Sequence, residues 1–184
     1  WDSWKHAVAL AHFEPEVAKN QVRAMYDFQN EAGMIADCVF PDTTIENHNW
    51  RDTKPPLSAW AVWSIYEQTK DKSFMAMLYP KIVKYHEWWY KNRDHNGNGL
   101  CEYGSTDGTE IAARWESGMD NAVRFDHIQM VQNNENAWSM DQESVDLNSY
   151  LFAEKIYLKN MAEILGADID AKKYSTEAAQ LKKQ

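Results

Sequence analysis

Apolar residues recur every three to four positions along six segments of this 184-residue chain, and this recurrence constrains the fold more than any other feature. Such spacing collects the apolar side chains on one face of an α-helix. The segments fall into three successive pairs, and no alternating apolar run bounded by turn residues predicts a strand. We therefore expect an all-α fold built from antiparallel helix pairs.

Proline and glycine residues punctuate these segments. Pro15 suits the first turn of the second helix, and Gly33 is expected to end that helix. Gly166 separates the last two helices, whereas Pro80 should kink or split the fourth. The six predicted helices run from Asp2 to His12, from Glu14 to Gln29, from Leu57 onward after Pro55-Pro56, from about Ser73 to Asn92, from Glu143 to Leu165, and from Ile169 to Lys183.

Charge and composition exclude several classes of protein. A formal net charge of -9, with no local basic stripe, argues against a nucleic-acid partner. No stretch approaches the roughly 18 uninterrupted apolar residues of a membrane span. The zinc motif His-Glu-x-x-His, a phosphate-cradling glycine loop and the serine-hydrolase motif Gly-x-Ser-x-Gly are all absent. The only two cysteines, Cys38 and Cys101, form either a disulfide or two free thiols, and their spacing does not decide between these.

The helical pattern lapses between about residues 93 and 142, and so long an irregular segment inside a compact domain is usually functional. Its first motif, counted from Asp94, is typical of a calcium loop. Side-chain oxygens stand at positions one, three and five, glycine at position six and a carboxylate at position nine. A full EF-hand is excluded because Ser105 occupies position twelve, and a polar Asn-Gly turn is the alternative. The predicted Ca²⁺ ligands are the side chains of Asp94, Asn96, Asn98 and Glu102 and the carbonyl oxygen of Leu100.

The second motif in this segment is Trp-Glu-Ser-Gly-Met-Asp, which sets two carboxylates, Glu116 and Asp120, four residues apart. Burial beside Trp115 and Met119, or proximity to Glu116, would raise the pKa of the Asp120 carboxyl and keep it protonated for general acid catalysis. On spacing alone, a carboxylate in a surface loop is the alternative.

The chain opens on Trp1-Asp2-Ser3-Trp4, which places an acidic hydrogen-bond acceptor between two aromatic rings. This arrangement is common where a protein grips sugar hydroxyls while a ring stacks on the apolar face of the sugar. A buried helix start capped by Asp2 or Ser3 is the alternative. Because an initiator Met and a signal segment are both missing, we expect a processed or excised N-terminus.

Taken in order, these motifs resemble glycoside hydrolase family 63, and most closely its bacterial α-glucosidases, along essentially the whole chain. The trehalases share several of the same segments, although their usual Gln before Pro-Pro is Lys54 in this chain. The carrying segments are Trp1 to Lys5, Gly33 to Ile35, Lys54 to Ala61, Glu116 to Asp120, and Val145 to Asn148.

The resemblance implies an (α/α)₆ barrel of twelve helices, of which residues 1–184 would form the N-terminal half. It implies inverting hydrolysis of terminal α-glucosidic bonds in oligosaccharides, with Asp120 as general acid and a Glu beyond Gln184 as general base. The rest of the same enzyme would then be needed for activity. A structural Ca²⁺ in the loop from Asp94 to Glu102 and a periplasmic location are also implied. The residues expected to bind the sugar are Trp1, Asp2, Lys54, Trp115 and Glu116.

Two other functions stay open at this point. One is a non-catalytic helical module that binds sugar or acts as a scaffold, and the other is a trehalase-like (α/α)₆ hydrolase with the same acid. A catalytic Glu in an aromatic-rich loop outside this chain would favour an enzyme over a scaffold, and a panel of α-linked glucosyl disaccharides would separate the two hydrolases.

Overall fold

A computed structural model describes all 184 residues, from Trp1 to Gln184. The chain forms seven α-helices, a short 3₁₀ turn at Val123–Phe125, and one small antiparallel sheet. The helices are α1 (Asp2–Leu10), α2 (Pro15–Tyr26), α3 (Ser58–Thr69), α4 (Lys72–Asn92), α5 (Glu110–Ser117), α6 (Val145–Leu165) and α7 (Asp168–Leu181). The strands are β1 (Glu102–Ser105), β2 (Met130–Asn134) and β3 (Ala137–Glu143), with β3 in the centre of the sheet.

The residues divide into two compact units. The first unit comprises Trp1–Asp27, Pro56–His86 and Ser149–Gln184. The second comprises Phe28–Pro55 and Glu87–Asn148, and it contains the calcium-loop and acid motifs.

Helices α1, α2 and α3 pack on one another within the first unit. Trp4, Val22 and Ile65 lie in this core, each with at most 2% of its surface exposed. Burial of an aliphatic side chain such as Val22 or Ile65 contributes about 1.5 to 3 kcal/mol to folding. The hydroxyl of Tyr26 is also buried and donates to Ser58 Oγ at 2.7 Å, so this buried hydroxyl has a hydrogen-bond partner.

A buried polar cluster joins α4, α6 and α7 in the same unit. The ammonium of Lys155 donates to Nε2 of His86 at 2.9 Å, and Nδ1 of His86 lies 2.7 Å from a carboxylate oxygen of Glu154. Because an ammonium only donates, Nε2 must accept, so the imidazole proton is on Nδ1 and is donated to Glu154. Lys155 also contacts Glu177 at 2.7 Å. Burial holds the pKa of His86 well below its usual value, consistent with a neutral ring.

Helix α5 packs on β1 and β3 in the second unit. Gly104 of β1 has no room for a side chain, since an added Cβ would lie 1.9 Å from the carbonyl oxygen of Trp138 and 2.8 Å from Nε of Arg93. A glycine is therefore required where β1, β3 and Arg93 meet.

All six predicted helices are present in the predicted order, with several corrections, and α5 is a seventh helix that was not predicted. Helix α2 ends at Tyr26, before the expected Gln29, and Gly33 lies in a later turn with a positive φ of 109°. Pro80 stands inside α4 without dividing it. Gly166, with φ of 79°, separates α6 from α7 as expected.

The segment from 93 to 142 is not irregular, because it contains α5 and all three strands. The sheet was not predicted for two reasons. All four residues of β1 are buried, so β1 lacks the alternation of apolar and polar residues that indicates a strand. Strand β2 ends on Gln-Asn-Asn, and Asn is uncommon in strands. The two cysteines are free thiols, with Cys38 exposed and Cys101 buried. None of the helices has the length and apolar character needed to cross a membrane.

Candidate active site

Helix α5 ends directly before the predicted acid. Gly118 follows the helix in the left-handed conformation, with φ of 67°, and its N–H donates to the carbonyl oxygen of Trp115 at 3.0 Å. A residue with a side chain would be strained in this conformation, which explains the glycine of the motif. The chain thereby turns sharply between Glu116 and Asp120.

Hydrogen bonds hold both sides of this turn. Ser117 Oγ donates to the carbonyl oxygen of Arg114 at 2.6 Å and accepts from the N–H of Met119 at 2.9 Å. The N–H of Ala122 donates to the carbonyl oxygen of Met119 at 3.0 Å. The backbone that carries Asp120 is therefore positioned by local contacts.

Asp120 is exposed and lines a depression of about 530 Å³ together with Trp115, Arg114 and Glu110. The expected burial of Asp120 by Trp115 and Met119 is wrong for this chain, because Met119 is itself 39% exposed.

Glu116 has no exposed surface and sits at the centre of a buried hydrogen-bond network. Arg93, equally buried, donates from Nε to Oε2 at 2.7 Å and from Nη2 to Oε1 at 2.8 Å. The N–H of Gly104 donates to Oε2 at 2.6 Å, and the N–H of Thr53 donates to Oε1 at 3.3 Å. A single carboxylate thus joins α5 to the end of α4, to β1 and to the segment before α3.

This environment argues against the substrate-binding role expected for Glu116. Both carboxylate oxygens are occupied by protein donors, and neither has surface that a sugar hydroxyl can reach. The geometry instead suits a residue that positions α5 and the turn after it.

Lys54 lies in a second, smaller charge cluster. Its ammonium is 2.9 Å from Oδ1 of Asp37 and 2.9 Å from Oδ2 of Asp52. Burial raises the pKa of Asp52 to about 7, although the attraction of Lys54 opposes this shift. Burial lowers the pKa of Lys54, but the attraction of Asp52 and Asp37 outweighs it and the net pKa is raised. Lys54 is therefore a charged, largely enclosed group whose positive charge is neutralised locally.

The predicted calcium loop is a tight turn in which side-chain oxygens accept from backbone N–H groups. Oδ1 of Asp94 accepts from the N–H of Asn98 at 3.0 Å, and Oδ2 accepts from the N–H of Gly99 at 2.9 Å. Gly97 and Gly99 both have positive φ, as such a turn requires. The loop closes through the N–H of Glu102, which donates to the carbonyl oxygen of Arg93 at 2.7 Å.

No group of three or more His, Cys, Asp and Glu side chains is arranged to hold a metal. The predicted Ca²⁺ set has only two such side chains, Asp94 and Glu102, and is completed by Asn96, Asn98 and the Leu100 carbonyl oxygen, which are ligands of another kind. Glu102 is buried and its Oε1 has no hydrogen-bond partner. Burial raises the pKa of Glu102 to about 7, opposed by His95.

Trp1 and Asp2 belong to the first unit, whereas Lys54, Glu116 and Asp120 belong to the second. Trp1 is the N-cap of α1, and the ammonium of Lys5 lies 3.3 Å from the centre of its ring. Asp2 is exposed in the first turn of α1, and no side chain caps the helix. Their role in sugar binding stays a prediction.

The sequence offered no signal for Arg51, which lines a second depression of about 560 Å³ that also contains Trp115. Arg51 donates from Nε to Oδ2 of Asp107 at 2.6 Å and from Nη2 to Oγ1 of Thr109 at 2.9 Å. Its guanidinium lies over the Trp115 ring, 5.3 Å from the ring centre. These partners are 56 to 64 residues away in sequence, so no local pattern could indicate the contact.

The fold is that of solved enzymes with an (α/α)₆ barrel. A crystal structure of the GH63 mannosylglycerate hydrolase from Thermus thermophilus in complex with Tris and D-glycerate matches 99% of this chain and 57% of that chain, with a TM-score of 0.71 and 18% identity. An uncharacterised conserved protein from Thermus thermophilus matches 99% of this chain and 55% of that chain, with a TM-score of 0.73 and 20% identity. The helical architecture thus corresponds to about half of a glycoside hydrolase barrel.

Residues 1–184 match the family model of the mannosylglycerate hydrolase MGH1-like glycoside hydrolase domain, and the chain belongs to this family. The mannosylglycerate hydrolase MGH2 of Selaginella moellendorffii is 31% identical over 144 residues, which cover 68% of this chain and 28% of that protein. The glucosylglycerate hydrolase of Mycolicibacterium hassiacum is 25% identical over 155 residues, covering 68% of this chain and 33% of that protein. The chain therefore matches about a third of the length of these relatives.

Family membership confirms that the chain belongs to a glycoside hydrolase family, as the motifs predicted. The relatives are named for hexosylglycerates, whereas the motif resemblance implied α-glucosyl oligosaccharides. These two substrate classes differ in the leaving group.

Proposed function

We propose that the protein hydrolyses the bond of a terminal α-linked hexosyl residue with inversion at the anomeric carbon, and that Asp120 is the general acid. The observation that carries this proposal is the placement of Asp120: an exposed carboxylate beside an indole, on a turn held by Ser117 and Gly118. Membership of a glycoside hydrolase family supports the reaction class.

In this mechanism, Asp120 protonates the glycosidic oxygen as the bond to the leaving group breaks. A second carboxylate activates water on the opposite face of the sugar, at about 6.5 to 9.5 Å from the acid. The Glu that serves as this base is expected outside residues 1–184. Glu116 does not take this role, because it is buried and paired with Arg93. Its contribution is to hold α5, from which the acid turn extends.

The names of the relatives support glycerate as the leaving group, with mannose or glucose as the hexose. α-Glucosyl oligosaccharides are the second substrate class, implied by the family 63 motifs.

Proton NMR of the first product tests the mechanism. The full-length enzyme, supplied with mannosylglycerate, glucosylglycerate, trehalose and other α-glucosyl disaccharides, should release the β-anomer of the hexose before mutarotation. Initial release of the α-anomer would exclude inversion. Cleavage of trehalose alone would indicate a trehalase-like enzyme, and absence of hydrolysis across the panel would favour a non-catalytic sugar-binding or scaffold module.

We also propose that the loop from Asp94 to Glu102 binds a structural Ca²⁺. The donor set fits a hard cation, since it consists of carboxylate, amide and carbonyl oxygens. The buried Oε1 of Glu102, which has no hydrogen-bond partner, would coordinate the ion. When bound, the ion would cross-link the start and end of the loop and take no part in the reaction.

Removal of calcium should lower the apparent melting temperature of the full-length enzyme by several degrees. A ligand that binds only the native state at 100 times its Kd stabilises that state by about 2.7 kcal/mol. Asp94→Ala should abolish the calcium dependence seen in a calorimetric scan with and without chelator. Asp42→Ala, which removes an exposed Asp that bonds to Thr44 in another turn, is the control and should retain it. Identical scans for the wild type in calcium and in chelator would favour a plain polar turn.

A further inference from the structure

The depression that Arg51 and Trp115 share borders the depression that contains Asp120. Trp115 lines both of them. A general acid delivers its proton to the oxygen of the leaving group, so the leaving group must come to lie next to the acid. The surface on the far side of Trp115 is therefore placed to contact whatever is attached to that oxygen.

Arg51 is held in place before any ligand arrives. Asp107, which accepts from Nε of Arg51, also accepts from the N–H and the hydroxyl of Thr109, at 2.9 and 2.7 Å. Partial burial would raise the pKa of Asp107, but the hydrogen bonds from Arg51 and Thr109 outweigh this and lower it. The backbone of residue 51 is fixed as well, because its carbonyl oxygen accepts from the N–H of Thr106 at 2.8 Å.

One end of this guanidinium has no partner in the protein. Nε and Nη2 are engaged, whereas Nη1 makes no hydrogen bond, and the side chain is 42% exposed. A fixed guanidinium with unused N–H groups is well suited to a carboxylate, because little side-chain entropy remains to be lost on binding.

Asp107 at 2.6 Å already offsets part of the charge of Arg51, so binding of an anion in this depression depends on the unused N–H groups of Nη1. Arg51 is the only Lys or Arg that lines this depression. Asp37 lines it too, but its charge is opposed by Lys54 at 2.9 Å. Glu46 is exposed, so that water screens its charge.

We propose that Arg51 is a specificity-determining residue, which receives the carboxylate of the leaving group through Nη1 while the face of Trp115 forms the wall between the leaving group and the acid. This inference rests on the proposed function for the identity of the reaction. It assigns to this chain a subsite for anionic leaving groups in the depression formed by residues 37 to 51 and Trp115.

A matched pair of substrates tests the proposal in the full-length enzyme: α-mannosylglycerate and α-mannosylglycerol, which differ only in the carboxylate. The wild type should have a kcat/KM about 10 to 100 times higher for the glycerate compound, the range expected for a hydrogen bond to a charged group. Arg51→Gln should abolish this preference, because its kcat/KM for the glycerate compound falls while its kcat/KM for the glycerol compound stays unchanged. Arg51→Lys should recover part of the preference.

Arg23→Gln is the matched control, because Arg23 also stacks on an aromatic ring, 5.2 Å from the centre of Phe74, and lies in the first unit. It should leave the preference unchanged. An equal loss on both substrates in Arg51→Gln would show a purely structural role and overturn the proposal, as would a preference that survives the substitution.

Calorimetric titration with D-glycerate separates this inference from the proposed function. Binding to the wild type that weakens at least tenfold in Arg51→Gln supports the subsite even if neither glycoside is hydrolysed, in which case the proposed reaction alone fails. Equal binding to both proteins, or none to the wild type, would overturn the subsite.

Discussion

Replacing Asp120 by Asn in the full-length enzyme should lower kcat by about 100- to 10,000-fold on natural glycosides, which corresponds to about 3 to 5 kcal/mol of transition-state stabilisation. The amide has the shape of the carboxylic acid but cannot deliver a proton to the departing oxygen. The fold should not change, because Asp120 is exposed and the turn is held by other groups. Steady-state kinetics with the melting temperature measured in parallel would check both expectations.

The leaving group offers an internal control for this experiment. A glycosyl fluoride needs no protonation to depart, so Asp120→Asn should hydrolyse it at close to the wild-type rate. Asp126→Asn, which changes another exposed Asp six residues further along, is the matched variant and should retain activity on natural glycosides. Near-normal turnover of natural glycosides by Asp120→Asn would show that Asp120 is not the general acid. An equal loss of kcat on the fluoride would show that Asp120 has a different role.

The second large effect is expected for the pair of Arg93 and Glu116. Glu116→Ala should destabilise the protein by about 3 to 5 kcal/mol, because it leaves the fully buried Arg93 without a counter-charge. It also leaves the N–H groups of Gly104 and Thr53 without an acceptor. Chemical denaturation followed by circular dichroism would measure the loss in the free energy of unfolding.

Glu110→Ala is the control, because it removes another carboxylate from the same helix, α5. Glu110 pairs with Arg114 at the surface, with 48% of its side chain exposed, and such pairs contribute about 0 to 1 kcal/mol. In a double-mutant cycle, Arg93→Met combined with Glu116→Ala should cost less than the sum of the two single changes. Additive effects, or a loss for Glu116→Ala no larger than for Glu110→Ala, would contradict the central role of this pair.

Local pattern in the sequence predicted most of the helices, because an amphipathic helix depends on neighbours three and four residues apart. It also placed Asp120 in a loop after a glycine. It did not predict α5, where the buried residues Ala112 and Ala113 give a weak apolar signal in a helix of eight residues. Nor did it predict the sheet, whose first strand pairs with residues about 35 positions further along.

Glu116 illustrates the limit of the same reasoning within the candidate site. Four residues from Asp120 and next to Trp115, it has the sequence setting of a sugar-binding carboxylate. Its partners Thr53, Arg93 and Gly104 lie 63, 23 and 12 residues away, and they enclose it completely. Motif spacing contains no information on such partners.

For this protein, the sequence by itself determined the helix pairs, the turn that carries Asp120 and the glycoside hydrolase family, because each depends on short segments and their order. Only the tertiary structure decided which carboxylates are exposed and which are buried, and that Arg51 lies against Trp115. Exposure and ion pairing depend on segments that are distant in the chain and adjacent in the fold, and these contacts distinguish the exposed carboxylate of Asp120 from the buried carboxylate of Glu116.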